Sequence, residues 1–104
     1  MQSDYSHVVI SAENAQQVKE ILDALLLKKV VAGGMITQGP AKFWWKGELV
    51  EMLYYNISAF TRTSLRNQIV DTVEQISVEE VPGITFSPLD SNQKFLDWID
   101  TSLS

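Results

Sequence analysis

The residues able to do chemistry in this chain are few and widely spaced. There is one histidine, His7, and no cysteine. Thiolate catalysis and disulfides are therefore excluded, and a zinc site would have to be built from His and carboxylate ligands. A general base needs a positioned partner, so a solvent-facing or hydrogen-bonded strand-end histidine is the plainer expectation for His7. The densest acidic cluster is Glu79-Glu80, beside Glu74. Hard cations such as magnesium or calcium need several convergent oxygens, whereas consecutive residues on an extended chain point in opposite directions. A solvated acidic face fits that cluster better. Arg62 is the stronger ligand candidate, because an arginine near a helix N-terminus can help hold an anion. Lys42 could contribute from a neighbouring hairpin; for Arg62 the plainer alternative is a surface salt bridge. Trp44, Trp45, Tyr54 and Tyr55 form an aromatic cluster, suited either to stacking a flat small molecule or to packing a core and a subunit contact. No phosphate-binding loop, Gly-x-Ser-x-Gly or metalloprotease His pair is present. No catalytic residue is nominated, and enzyme activity is not expected.

Composition narrows the partners. The chain has 104 residues, 45% hydrophobic and 20% charged, with a net charge of −5. That is a one-domain length, 1–104, with globular rather than disordered composition. Nucleic-acid binding needs clustered Lys and Arg, but the eight basic residues are scattered and only Lys28-Lys29 are adjacent. Placed at a helix end, that pair complements the helix dipole. No apolar run approaches the roughly 20 residues of a membrane span, and Met1 to Ser6 carry no basic or apolar leader pattern. The expectation is a cytoplasmic protein that binds neither nucleic acid nor membrane.

Certain elements must position these candidates. His7 to Ser11 form a continuous β-prone run, expected as a short buried strand. Asn14 offers an N-cap to a helix over 14–28, with Ala15, Val18, Ile21, Leu22, Leu25 and Leu26 at helical spacing. Val30-Val31-Ala32 restart a strand, and Gly33-Gly34 and Gly39-Pro40 suggest a bend or bulge with close backbone approach. Lys46-Gly47 look like a hairpin turn leading into a long strand from Glu48 to Phe60. Such a strand should project beyond its own sheet. Thr63 or Ser64 can cap a second helix bearing Leu65, Ile69, Val73 and Ile76. Ser77 to Pro82 connect it to a strand from Gly83 to Ser87, ended by Pro88. Ser91 or Asn92 can start a last helix with Phe95, Trp98 and Ile99. The order predicts an α+β, ferredoxin-like βαββαβ fold: an antiparallel sheet with two helices on one face, plus a C-terminal helix. The second face is left for solvent or another subunit.

Four segments in order and register resemble the CutA (divalent-cation tolerance) family: Phe43-Trp44-Trp45-Lys46-Gly47-Glu48, Thr61-Arg62-Thr63-Ser64-Leu65, Glu80-Val81-Pro82-Gly83-Ile84 and Phe95-Leu96-Asp97-Trp98-Ile99. The resemblance implies a homotrimer whose long strands pair across subunits, with a role in tolerance to divalent cations. It also implies metal ligands that this chain lacks. The family's cysteine positions correspond to Ala12 and to Gly33 or Gly34, its histidine to Ser77, and the lysine of its Lys-Thr pair to Phe60. Copper or zinc binding of the family type is not expected, because those metals favour thiolate and imidazole donors. No cofactor is expected. The fold analogy to PII signalling trimers gives the alternative function, a sensor of a small anionic ligand or nucleotide in an intersubunit cleft. The candidate lining is Arg62, Trp44, Trp45, Tyr54, Lys42 and Glu80. A trimeric adaptor for a partner protein is the third reading.

Overall fold

The structure, a computed structural model, describes residues 3–104. Strand β1 (Tyr5–Ala12) leads to helix α1 (Ala15–Leu27), then the paired strands β2 (Gly33–Trp45) and β3 (Glu48–Arg62). A single 3-10 turn, Thr63–Leu65, runs into helix α2 (Arg66–Ile76), followed by β4 (Ile84–Pro88) and helix α3 (Gln93–Leu103). The sheet order is β2-β3-β1-β4 and the pairs β1/β3, β1/β4 and β2/β3 are all antiparallel. The ferredoxin-like α+β arrangement expected from the sequence is the one observed. None of the described helices is long and apolar enough to cross a membrane.

Strand β1 alternates rather than lying buried on both sides. Val8, Ile10 and Ala12 are buried, while His7, Val9 and Ser11 face the other way and are half-exposed. The buried set meets Ile57 and Ala59 of β3, and above them pack Val18, Ile21, Leu22 and Leu25 of α1 with Ile69 and Val73 of α2. Asn14 caps α1, its Oδ1 accepting the Gln17 N–H at 2.8 Å. Ala15 and Leu26 share the sequence spacing but lie outside the buried face. At the other end Lys29 takes a left-handed φ of 54°. The N–H of Val30 then donates to Leu25 O and that of Lys29 to Leu26 O, a Schellman closure made without glycine.

Several expected boundaries move. Val30 and Val31 form a buried connection, 2% exposed each, not a strand. There the Thr61 hydroxyl donates to Val30 O at 2.6 Å. The β2/β3 register runs without interruption from Gly33↔Phe60 to Trp45↔Glu48, so neither glycine site is a bulge. Gly34 is nonetheless demanded by close approach: a Cβ there would stand 2.9 Å from Leu22 Cδ1. Pro40 is tolerated because β2 is a sheet edge, where a missing N–H costs no ladder bond. At the turn, Lys46 (φ 49°) and Gly47 (φ 82°) both have positive φ, as a two-residue type I′ hairpin requires. Thr63 and Ser64 do not cap α2. Thr63 is drawn instead to the N-terminal segment, its hydroxyl donating to Ser3 O at 2.7 Å and its N–H to Asp4 O.

Helix α3 takes the opposite face of the sheet from α1 and α2, a placement the sequence did not reveal. Phe95 meets Phe60 edge-on at 5.0 Å, and Phe60 lies over His7. A Cβ on Gly33 would stand 3.0 Å from the Trp98 ring. Phe60, His7 and Gly33 all alternate onto the face turned away from Val8 and Ile10. The helix therefore covers one end of that second face and leaves the hairpin end open.

Candidate functional site

The hairpin end holds a groove of about 710 Å³. One wall is the second face of the β2–β3 hairpin, including Phe43, Trp45, Met52 and Tyr54, with Lys42 and Trp44 beside it. The opposite wall is Glu13, just past β1, and Val78 to Val81 in the connection before β4. Period-two alternation puts Phe43, Trp45, Met52 and Tyr54 on one face. Phe43 and Tyr54 meet edge to face at 5.6 Å. The two walls are joined at the tip, where Lys46 Nζ lies 3.2 Å from Glu80 Oε2 and 5.4 Å from the centre of the Trp45 ring.

Five of the six nominated residues thus converge: Trp44, Trp45, Tyr54, Lys42 and Glu80 all line this groove. Arg62 does not. It closes the far end of β3, roughly 46 Å along the strand from Trp45's partner Glu48 at about 3.3 Å per residue. There its Nε and Nη2 each approach Asp100 Oδ1 at 2.8 Å, and the Tyr5 hydroxyl donates to Asp100 Oδ2 at 2.8 Å. The salt-bridge alternative holds for Arg62, and its work is to fasten α3 to the sheet. The Tyr5 hydrogen bond, then that of Arg62, holds the Asp100 carboxyl below the usual aspartate range, and the Tyr5 hydroxyl is correspondingly pushed up by Asp100. Arg62 also borders a second cleft with Arg66, Thr63, Ser64 and Phe86, where the Arg66 guanidinium sits 4.6 Å from the Phe86 ring centre.

Two of the four charged residues lining the groove, Lys42 and Glu80, are in ion pairs. Lys42 Nζ is 2.8 Å from Glu51 Oε1, both largely exposed, a surface pair of small energetic value. Glu79 is different. Its Oε2 is closed off from solvent and has no hydrogen-bond partner among the described residues. Burial first, and the Glu13 carboxylate second, push its pKa above the usual glutamate range. Among the described residues no group of three or more His, Cys, Asp or Glu side chains is placed to hold a metal ion. His7 Nε2 is 2.6 Å from Ser58 Oγ, the hydrogen-bonded strand histidine expected of it. Glu74 does not line the groove, so the acidic cluster divides. Sequence reasoning missed Glu13 as a wall and Asp100 as the partner of Arg62; both contacts are long-range and carry no local pattern.

The family model of the CutA1 divalent ion tolerance protein matches residues 6–102. The chain belongs to the CutA1 family. A CutA divalent-cation tolerance protein of Pyrococcus horikoshii is 21% identical over 85 residues, covering 81% of this chain and 83% of that protein. The solved structure of the periplasmic divalent cation tolerance protein CutA from Archaeoglobus fulgidus superposes with a TM-score of 0.92 at 26% identity, over 96% of this chain and 99% of that one. CutA1 from Oryza sativa gives a TM-score of 0.92 at 21% identity, over 99% and 96% of the two chains. At the CutA1 positions where Cys or His ligands were expected, packing rules. Ala12 is fully buried in the core and Gly34 lies under Leu22, while Phe60, at the position of the family's lysine, meets Phe95 edge-on. Ser77 ends α2, its N–H donating to Val73 O, while its hydroxyl accepts the Glu79 N–H at 3.2 Å.

Proposed function

We propose that this chain is a non-enzymatic homotrimer that takes part in tolerance to divalent cations without a Cys/His copper or zinc site of its own. The observation that carries the role is the family match over residues 6–102. The trimer is supported by the hairpin. Beyond the end of β1 at Ala12↔Tyr55, β2 and β3 continue as a two-stranded ribbon to Trp45↔Glu48. An isolated ribbon is marginal in water, and here it exposes Trp44 at 72%, Leu49 at 59% and Leu53 at 49%. Like copies pairing along the free edge of β2 would cover these groups and remove the open edge. The absence of a thiolate or imidazole site is supported by the chain's having no cysteine and one histidine, the latter engaged with Ser58.

The anion-sensor alternative draws no support from the cations it needed, since Arg62 and Lys42 are both held by carboxylates. The compartment we assign is the cytoplasm. The Archaeoglobus relative is named periplasmic, and fractionation of the native host decides the point for this chain. The role is tested by deleting the gene in that host. The deletion strain should grow more slowly than wild type in excess copper or zinc, and the intact gene should restore growth. Equal growth across all divalent cations would remove the role. Calorimetric titration with copper, zinc and magnesium tests the site: no sub-micromolar binding is expected, and a tight copper site abolished by His7→Ala contradicts the proposal.

A further inference from the structure

The cleft at the start of α2 lies apart from the hairpin arm and has a volume of about 860 Å³. Its floor is on the face of the sheet that carries α1 and α2. Ser6 alternates with the buried Val8, and Phe86 sits opposite Val8 and packs against the core. Two opposite charges line it, Arg66 and Asp4. The Arg66 guanidinium rests 4.6 Å from the Phe86 ring centre, which steadies its planar fork, and it forms no ion pair among the described residues. The Asp4 carboxylate forms none either. Asp4 is nevertheless tied to the lead-in of the helix, because the Thr63 N–H donates to Asp4 O at 2.9 Å and the Thr63 hydroxyl to Ser3 O at 2.7 Å. Ser6 Oγ, 2.7 Å from Thr63 Oγ1, fastens the same junction to β1. Arg62 borders the cleft, but Asp100 engages its guanidinium. What remains is one guanidinium and one carboxylate that share a cleft without meeting. A simple anion there faces Asp4, and a simple cation faces Arg66. A molecule carrying both charges satisfies both, and Phe86 and Pro88 offer surface to its apolar part. Side chains stand roughly perpendicular to a sheet, so strand pairing at the free edge of β4 would run beside this cleft and not across it.

We propose that this cleft binds a small zwitterion, a free amino acid whose carboxylate accepts from the fork of Arg66 and whose ammonium group donates to Asp4. The proposal goes beyond the family role and uses neither the hairpin nor a metal, so it can fail while the trimer and the cation-tolerance role survive.

L-leucine is the probe, titrated calorimetrically into the full-length protein in its native assembly. 3-Methylbutylamine, which lacks the carboxylate, and 4-methylpentanoate, which lacks the ammonium group, are the comparison ligands. Leucine should bind saturably, and each comparison ligand about tenfold more weakly or not at all. Arg66→Gln and Asp4→Asn, both at exposed positions, should each lose about tenfold in affinity for leucine. Their cross-pattern separates lost charge from misfolding: Asp4→Asn should not weaken 4-methylpentanoate, and Arg66→Gln should not weaken 3-methylbutylamine. If one variant does not fold, the other carries the test alone. Lys94→Gln, exposed on α3 and away from the cleft, should bind leucine as wild type does. Equal affinity for the three ligands overturns the proposal, as does unaltered leucine binding in both cleft variants. So does the absence of saturable leucine binding, which is the result expected if Asp4 and Arg66 close on each other or a neighbouring copy covers the cleft.

Discussion

Strands β2 and β3 pass through two environments, and the contrast explains most of what this protein displays. From Gly33↔Phe60 to Gln38↔Tyr55 they share the sheet with β1. There Ile57 and Ala59 are fully buried beneath α1 and α2, and α3 covers part of the reverse side. From Gly39↔Tyr54 to Trp45↔Glu48 the same two strands have no third strand beside them. The residues remain apolar and aromatic while the cover disappears. A chain of this length can bury only a limited fraction of its surface, and it has spent its helices on the inner half. The outer half is built like an interface and holds the groove.

The two halves should respond differently to substitution. The largest effect is expected in the inner half. Ile57→Ala, at a fully buried position, should cost about 2–5 kcal/mol of stability in chemical denaturation. Trp44→Ala, at 72% exposure in a single chain, should change the stability of one protomer by less than about 0.5 kcal/mol. It should lower the assembly's melting temperature in a concentration-dependent way. Equal losses at both positions would erase the distinction between core and arm.

A pair of glycines sharpens the same boundary. Gly34→Ala places a Cβ 2.9 Å from Leu22 Cδ1 and 3.3 Å from Ser58 O, so it should cost about 1–3 kcal/mol. Gly39→Ala meets nothing within 4 Å and should be neutral, or stabilising by up to about 1 kcal/mol through the unfolded chain. Thermal unfolding of both variants is the check.

Two acids should give opposite pH signatures of smaller size. The Asp100 carboxyl is held below its ordinary pKa by Tyr5 and Arg62, so its contribution is present above the unfolded-state value, about 4. That contribution is lost as pH falls through the lowered, folded-state value. Asp100→Asn should therefore melt below wild type at neutral pH, and the gap should close in strong acid. Glu79 is raised by burial and by Glu13, so the folded protein binds its proton more tightly than the unfolded chain does. Its ionised form is a slight burden at neutral pH that lifts as pH falls through the raised value. Glu79→Gln should melt slightly higher than wild type at neutral pH, and the advantage should fade on acidification. A melting profile in which both variants shift in the same direction would contradict the placement of these two groups.

Local chemistry made much of this legible before any coordinates. Asn14, the spacing from Val18 to Leu25 and the Lys46-Gly47 turn each report their own geometry, and the element order pointed to the ferredoxin-like fold. Of the five groove residues, Trp44, Trp45, Tyr54 and Lys42 were nominated because they crowd one hairpin, a local feature, and Glu80 because it stands in one of the segments that resemble the family. What escaped was long-range. Nothing in the neighbourhood of Asp100 announces Arg62 and Tyr5, and nothing in the amphipathic pattern of α3 says which face of the sheet it will take. Thr63 has the chemistry of an N-cap, but the approach of Ser3 and Asp4 gave its hydroxyl and N–H other partners. The glycines at 33 and 34 signalled close approach correctly, yet the neighbours were side chains of α1 and α3 instead of a bulged backbone.

The most direct test of the account is the mass of the protein in solution, measured by light scattering across a wide concentration range. The proposed trimer predicts a particle of three times the 11.7 kDa chain mass, shifting toward smaller species when Trp44 and Leu49 of the exposed ribbon are replaced by glutamate. A concentration-independent particle of one chain's mass would contradict it, and would leave the outer half of the hairpin without the cover its sequence demands.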